Sequence, residues 1–216
     1  MYKYIFLDLD GTVTESAEGI LNSVAYALEK LGHPVEDKNV LRPFIGPPLS
    51  ESFREFYGFD EETTALGVKY YREYYPEKGI FENRLYDGIK DLLKKLSDSG
   101  RTVALATSKP EPFAVRILEH YGVAEYFDLI AGSTFDASRN DKTSVLRYAV
   151  EKCGVKELDS AIMVGDRKHD VIGAHEVGMK CAYVLFGYGS REEAEKYKAD
   201  HIIEDVAGLG KFLLDQ

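Results

Sequence analysis

Tyr4-Ile5-Phe6-Leu7-Asp8-Leu9-Asp10-Gly11-Thr12 is the stretch of sequence that decides the fold. Its first four residues are an apolar run typical of a buried strand, and Asp-Gly is typical of a turn. Two carboxylates two residues apart repel each other, and burial raises that cost. A cation or a phosphoryl group at the strand end would relieve it. The stretch therefore indicates a Mg²⁺ site with one carboxylate free to act as a nucleophile, and simple turn chemistry is the alternative.

The composition is that of a soluble globular protein. The chain has 216 residues, of which 44% are hydrophobic and 30% are charged, enough for one domain and a smaller insertion. The formal net charge of −10 argues against a nucleic-acid partner, since phosphate backbones require a basic surface. No apolar run has the length of a membrane span, so no membrane partner is expected. Without a secretory segment or a CxxC pair, Cys153 and Cys181 predict reduced core residues and a cytoplasmic location.

Short apolar runs alternate with helical segments along most of the chain. The runs are typical of a parallel sheet covered on both faces, and they comprise residues 4–7, 103–106, 129–131, 161–164 and 182–185. The helical segments each precede a glycine suited to a left-handed helix end, and they comprise residues 87–97, 112–121, 143–153 and 171–177. The alternation predicts an α/β fold with a doubly wound parallel sheet.

Residues 15–80 interrupt this alternation. They contain three amphipathic helical patterns, at 19–31, 50–57 and 61–75, with no strand between them. We therefore predict a helical cap domain inserted after the first strand. The core domain then comprises residues 1–14 and 81–216.

Polar residues follow each predicted core strand at the end where open α/β sheets bind ligands. They are Asp8 and Asp10 after the first strand, Thr107-Ser108-Lys109 after the second, Asn140-Asp141-Lys142 after the third, and Gly165-Asp166-Arg167-Lys168-His169-Asp170 after the fourth. Taken singly, several of these residues are explained as helix caps or surface charges. Together they predict one site that suits phosphoryl transfer. One carboxylate attacks phosphorus, and a second serves as acid and then base.

Four motifs, in order, resemble those of the haloacid dehalogenase-like phosphatases. They are Asp8-Leu9-Asp10-Gly11-Thr12-Val13-Thr14, the Thr107 motif at 104–110, Lys142, and the Asp166 motif at 164–170. Three further segments resemble the phosphoglycolate phosphatase-like branch with a helical cap. These are Phe44-Ile45-Gly46-Pro47-Pro48-Leu49, Tyr71-Arg72-Glu73-Tyr74-Tyr75 and Phe186-Gly187-Tyr188-Gly189-Ser190.

The resemblance implies roles for individual residues. Asp8 would be the nucleophile and a Mg²⁺ ligand, and Asp10 the general acid/base that also binds Mg²⁺ through its carbonyl. Thr107 and Lys142 would hold the phosphoryl group. Asp166 would bind Mg²⁺. Asp170 would either bind Mg²⁺ directly or lie just behind the residues that do. The residues expected to contact phosphate or substrate are Gly11, Thr12, Ser108, Lys109, Gly46, Pro47, Arg72 and Arg167.

The implied function is Mg²⁺-dependent hydrolysis of a small phosphorylated metabolite through an aspartyl phosphate. A phosphoglycolate-like substrate is expected, with a nucleoside 5′-monophosphate (5′-nucleotidase activity) as the alternative. Asp10 favours a phosphatase over a dehalogenase, and Gly165-Asp166 disfavours a phosphosugar mutase, which commonly has Glu-Asp there. A non-catalytic phospho-acceptor module would carry its acceptor after the third strand. A monomer or a homodimer is expected.

Overall fold

The computed structural model describes residues 2–136 and 138–215, and the chain divides into two compact units. The larger unit comprises Met1–Glu15 and Leu85–Gln216, and the smaller comprises Ser16–Arg84. The sequence predicted an insertion at residues 15–80. That this insertion acts as a cap stays a prediction.

The larger unit contains a parallel sheet of six strands flanked by helices. These strands are β1 (Tyr4–Leu7), β4 (Thr102–Pro110), β5 (Leu129–Ser133), β6 (Ala161–Gly165), β7 (Lys180–Val184) and β8 (His201–Ile203). Their order is β5-β4-β1-β6-β7-β8. The helices are α4 (Ile89–Asp98), α5 (Glu111–His120), α6 (Lys142–Lys152), α7 (Lys168–Val177), α8 (Arg191–Lys196) and α9 (Val206–Leu214). The predicted α/β class with a doubly wound parallel sheet is confirmed.

Several details differ from the sequence prediction. β4 extends to Pro110 rather than ending at Ala106, and its register with β5 is irregular between these two residues. β8, α8 and α9 were not predicted. β8 is a half-buried edge strand of three residues, and α8 has only six residues, mostly charged, so neither presents a periodic apolar pattern. Two further short strands, β2 (Thr14–Glu15) and β3 (Arg84–Leu85), pair with each other.

One face of the sheet buries an apolar cluster against α6, α7 and α8. Phe6 of β1, Met163 of β6 and Tyr183 of β7 contribute large side chains, and Val145 and Val171 come from the helices. Alanines dominate the rest of this face, so the helices approach the strands closely. The glycines that follow α4, α5, α6 and α7 all have positive φ, as the sequence predicted, and they end the helices in the left-handed conformation.

The smaller unit consists of α1 (Ala17–Lys30), α2 (Leu49–Tyr57) and α3 (Glu61–Tyr74), with short 3-10 turns at Lys38–Phe44 and Gly79–Phe81. The three predicted helices are therefore present. An aromatic cluster of Phe44, Phe53 and Phe59 packs the unit together. A side chain at Gly67 of α3 would press on the Phe53 ring, which explains a glycine in the middle of this helix.

Within residues 2–136 and 138–215, no helix has both the length and the apolarity required to cross a membrane.

Asp141 is the N-cap of α6. Its side chain accepts a hydrogen bond from the Ser144 N–H at 2.9 Å, and the Ser144 hydroxyl accepts one from the Asp141 N–H at 3.3 Å. We predict that Asp141→Ala lowers the free energy of unfolding by about 1 kcal/mol, measured by urea denaturation, because one cap bond is lost. Asp141→Asn should retain most of that stability. Unchanged stability of Asp141→Ala would contradict this.

Candidate active site

Three adjacent strands reach the same edge of the sheet, the one at their carboxyl ends; β1 and β6 end there, and β4 continues past it to Pro110. Leu7 of β1 pairs with Leu105 of β4 on one side and with Val164 of β6 on the other. The strand order reverses at β1, which is where open α/β sheets bind ligands. Asp8 continues the strand, since its N–H donates to the Val164 carbonyl at 2.9 Å. The residues that follow Leu7 of β1, Ala106 of β4 and Gly165 of β6 therefore share this edge, as the sequence predicted.

Three of the predicted carboxylates form a cluster. Asp8, Asp166 and Asp170 each place one carboxylate oxygen within 4.8 Å of the others. Asp166 and Asp170 are fully buried, and 13% of the Asp8 side chain is exposed. Buried carboxylate oxygens are the donors that a hard divalent cation prefers, so these residues fit such an ion.

Lys142 lies among these carboxylates. Its Nζ is 2.9 Å from Asp8 Oδ1 and 2.8 Å from Asp170 Oδ1, and it donates to the Ala106 carbonyl at 2.9 Å. Only 3% of the side chain is exposed, which rules out the surface-lysine interpretation. Because Lys142 is the first residue of α6, its side chain reaches the sheet edge from the start of that helix.

Burial and mutual repulsion change the acidity of this cluster. Burial, with Asp170 and Asp10 nearby, raises the pKa of Asp8 to about 6 against the opposing effect of Lys142. Burial also raises the pKa of Asp166 well above its usual range, with Asp170 and Asp8 adding to the effect. Burial alone would lower the pKa of Lys142, but the carboxylates of Asp170 and Asp8 outweigh it and raise that pKa. The ammonium group therefore stays charged.

Asp10 has a different cation as its partner. Its Oδ2 lies 2.8 Å from Lys109 Nζ, and 19% of the Asp10 side chain is exposed. The side chain of Asp10 is not one of the three clustered carboxylates among the described residues. Lys109 was predicted to contact substrate. In the structure it pairs with Asp10, the predicted general acid/base.

The remaining predicted residues of this edge lie beside the carboxylates. Thr107 is buried, and its Oγ1 accepts a hydrogen bond from the Lys109 N–H at 3.2 Å. Ser108 is half-buried beside it in β4. Thr12 is fully buried. Gly11 has φ +82°, and a side chain there would collide with the carboxylate of Asp166.

Asp170 has two partners, since it faces Lys142 and also caps the start of α7. The interpretation of Asp170 as a helix cap is therefore correct as well. Asp170 Oδ2 accepts a hydrogen bond from the Arg167 N–H at 3.0 Å, at the start of α7, while Oδ1 faces Lys142. The Arg167 side chain contacts Glu193 of α8, with Nε 3.2 Å from Oε1. Arg167 thus forms an ion pair within the protein, and its predicted contact with substrate stays a prediction.

Three predicted residues belong to the smaller unit. Gly46 has φ +108° in the turn that precedes α2, and Pro47 follows it. Arg72 is exposed near the end of α3. Their predicted contacts with substrate stay predictions.

Two groups at this edge were missed by the sequence analysis. The Tyr188 N–H donates to Asp166 Oδ2 at 2.6 Å, and Glu193 accepts from the Lys168 N–H at 2.8 Å. For the Tyr188 N–H, the sequence offered one indication, the Gly187-Tyr188-Gly189 pattern. A backbone donor has no sequence signature of its own.

A family model described as haloacid dehalogenase-like hydrolase matches residues 4–184. The chain belongs to this family. The resemblance stated from the four motifs is therefore confirmed.

Similar proteins carry several names. The chain is 40% identical over 212 residues to a 5′-nucleotidase of Pseudomonas aeruginosa, covering 98% of this chain and 96% of that one. It is 40% identical over 195 residues to the tyrosine-protein kinase PtkA of Mycobacterium tuberculosis, covering 90% and 66%. It is 30% identical to a phosphoglycolate phosphatase of Vibrio parahaemolyticus, covering 96% and 94%. The crystal structure of a predicted phosphatase from Clostridium acetobutylicum has a TM-score of 0.95 at 47% identity, covering 100% of both chains.

The carboxylate cluster predicts that the free energy of unfolding depends on pH. The pKa of Asp8 is about 6 in the folded protein and about 4 in an unfolded chain, so the folded state binds more protons between these values and its stability falls as pH rises through them. In chelator-treated protein, Asp8→Asn should raise the free energy of unfolding at pH 7.5 by about 1–3 kcal/mol and by much less near pH 4. Urea denaturation at both pH values measures this. The exposed Asp98→Asn is the control, and an equal effect of Asp8→Asn at both pH values would contradict the prediction.

Proposed function

We propose that this protein is a Mg²⁺-dependent phosphatase that hydrolyses a small phosphomonoester through an aspartyl phosphate on Asp8. The observation that carries the proposal is the unequal environment of two neighbouring carboxylates. Asp8 faces Lys142 and two further carboxylates, whereas Asp10 faces Lys109 and is more exposed. Two titratable groups in different environments are suited to two chemical roles.

Asp8 is suited to be the nucleophile. The Leu9 N–H at 2.8 Å and Lys142 Nζ at 2.9 Å both approach its Oδ1, so we assign the attack to Oδ2. As the bond from Oδ2 to phosphorus forms, the bond from phosphorus to the ester oxygen breaks. The ammonium of Lys142 offsets negative charge beside the reacting phosphoryl group.

Asp10 is suited to transfer protons. Its carboxyl group gives a proton to the departing ester oxygen, and its carboxylate then takes a proton from water. That water oxygen attacks phosphorus, the bond to Asp8 breaks, and inorganic phosphate leaves with Asp8 regenerated. Lys109 holds Asp10 in place through this exchange.

The carboxylates of Asp8, Asp166 and Asp170 would hold Mg²⁺, which when bound neutralises negative charge on the phosphoryl group. We propose that Thr107, which is buried at the same edge, contributes a hydroxyl to the phosphoryl group.

The smaller unit, Ser16–Arg84, is proposed to act as a cap that selects the leaving group. The chain enters this unit at Ser16, six residues after Asp10, and leaves it at Arg84, ahead of α4 and β4. We propose a cytoplasmic enzyme that acts on a small metabolite.

The order of the candidate substrates changes once the relatives are known. The relative named 5′-nucleotidase is more similar to this chain than the one named phosphoglycolate phosphatase. We therefore place nucleoside 5′-monophosphates first and phosphoglycolate second, the reverse of the sequence-based expectation.

The proposal is tested by phosphate release from nucleoside 5′-monophosphates, phosphoglycolate and sugar phosphates, with Mg²⁺ or with chelator. We expect Mg²⁺-dependent turnover, and we expect Asp8→Asn to lower kcat by at least about 10⁴-fold, because the nucleophile is lost. Asp98→Asn, a surface change of the same chemistry, should retain activity. Turnover that survives in Asp8→Asn or in chelator would overturn the proposal.

A second prediction separates the roles of the two carboxylates. Asp10→Asn should lower kcat/KM by about 10²–10⁴-fold on an alkyl phosphate, whose leaving oxygen needs a proton. The loss should be much smaller on p-nitrophenyl phosphate, whose leaving group departs as a stable anion. Equal losses on both substrates, measured by steady-state kinetics, would show that Asp10 does not protonate the leaving group.

The relative named tyrosine-protein kinase supplies the competing outcome. In that case a phosphoryl group would pass from ATP to a tyrosine hydroxyl rather than from an ester to water. Incubation with γ-labelled ATP and a tyrosine peptide detects it. Peptide labelling without phosphate release from any small ester would replace phosphatase activity with kinase activity.

A further inference from the structure

The segment Phe186-Gly187-Tyr188-Gly189-Ser190, called here the glycine loop, follows β7 and has no part in the chemistry proposed above. The structure brings it against the carboxylate cluster. A side chain at Gly187 would collide with the Gly11 carbonyl and the Asp166 side chain. A side chain at Gly189 would collide with the Asp166 carbonyl and the Tyr183 hydroxyl. The two glycines therefore allow the backbone of the loop to lie directly on Asp166.

This close approach produces one directed contact. The Tyr188 N–H donates to Asp166 Oδ2 at 2.6 Å, a short bond typical of a charged acceptor. The other oxygen, Oδ1, is buried and has no hydrogen-bond partner within the described residues. One oxygen of Asp166 is thus held by the loop, and Oδ1 is left without a hydrogen bond from the described part of the chain, in a residue that belongs to the cluster of Asp8, Asp166 and Asp170.

We propose that the glycine loop is a positioning element for the divalent cation. Its Tyr188 N–H holds Asp166 Oδ2, so that Oδ1 is presented to the cation in a fixed orientation. Outer hydrogen-bond partners of this kind orient metal ligands and tune metal affinity. The inference deepens the proposed function and depends on its cation site.

Contacts beyond Tyr188 hold the loop in place. Ser190 caps α8, accepting a hydrogen bond from the Glu193 N–H at 3.2 Å. Glu193 Oε1 in turn accepts from the Lys168 N–H at 2.8 Å and from the Tyr183 hydroxyl at 3.0 Å. The loop and the segment that carries Asp166 are therefore linked twice, once through Tyr188 and once through Glu193.

The direct test removes the N–H alone. Tyr188 is replaced by its α-hydroxy acid, which keeps the side chain and turns the amide into an ester. Affinity is measured with Mn²⁺ by electron paramagnetic resonance, and Mg²⁺ competes for the same site. We expect Mn²⁺ and Mg²⁺ to bind about 10–100-fold more weakly, with an unfolding temperature close to that of the wild type after chelator treatment.

A second variant disturbs the close packing of the glycine loop against Gly11 and Asp166. Gly187→Ala should weaken Mn²⁺ binding in the same direction, because the loop must move away from Gly11 and Asp166. Gly210→Ala in α9 is the matched control, since a side chain there meets only Leu92 at 3.5 Å, an ordinary contact. Its Mn²⁺ affinity should not change.

The outcomes separate this inference from the proposed function. Unchanged Mn²⁺ affinity in both the ester and Gly187→Ala, with a wild type that binds Mn²⁺, would overturn the role of the loop and leave the cation site standing. A wild type that binds neither Mn²⁺ nor Mg²⁺ would overturn both. Weaker binding in the ester, with Gly210→Ala unchanged, supports the inference, whereas weaker binding in Gly187→Ala alone, with an unchanged ester, would overturn the role of the Tyr188 N–H.

Discussion

The structure of this site depends on one buried ammonium group. Lys142 lies between Asp8 and Asp170, with its third contact on the Ala106 carbonyl. Charges buried without a partner cost several kcal/mol each, which is comparable with the whole stability of a domain. Asp8 and Asp170 are buried beside a positive partner because α6 begins at this lysine, and the first turn of α6 is capped by Asp141. The position of α6 on the sheet therefore matters for the burial of these carboxylates as well as for the packing.

The general plan of the site could be predicted from the sequence because parallel strands end at a common edge. Polar residues after separate apolar runs must meet there, and Asp8, Thr107 and Asp166 do. The burial of Lys142 could not be predicted from its own neighbourhood, since a lysine that opens a helix is usually exposed. The role proposed for Lys142 came from its place in an ordered set of motifs, and the structure adds the distances to Asp8 and Asp170.

Other features have no signal in the sequence. The pairing of Lys109 with Asp10 accompanies an irregular register in β4 between Ala106 and Pro110, which no periodicity indicates. The contact of the Tyr188 N–H with Asp166 is a backbone interaction, and a backbone donor exists at every residue other than proline. Glu193 lies in a helix of six residues that is too short and too polar to show an apolar face. Long-range contacts of this kind come from the three-dimensional fold alone.

Lys142 and Lys109 give the neighbouring carboxylates of Asp8 and Asp10 different environments. Asp8 and Asp10 are two residues apart, yet their partners come from α6 and from β4 respectively. Asp8 shares its environment with two fully buried carboxylates, so its charge is costly until a positive group offsets it. Asp10 is outside that cluster and pairs with Lys109, and its exposed fraction is somewhat larger. The repulsion that destabilises the folded protein is therefore the same property that favours a cation and an electrophilic phosphorus at Asp8, since either one relieves it.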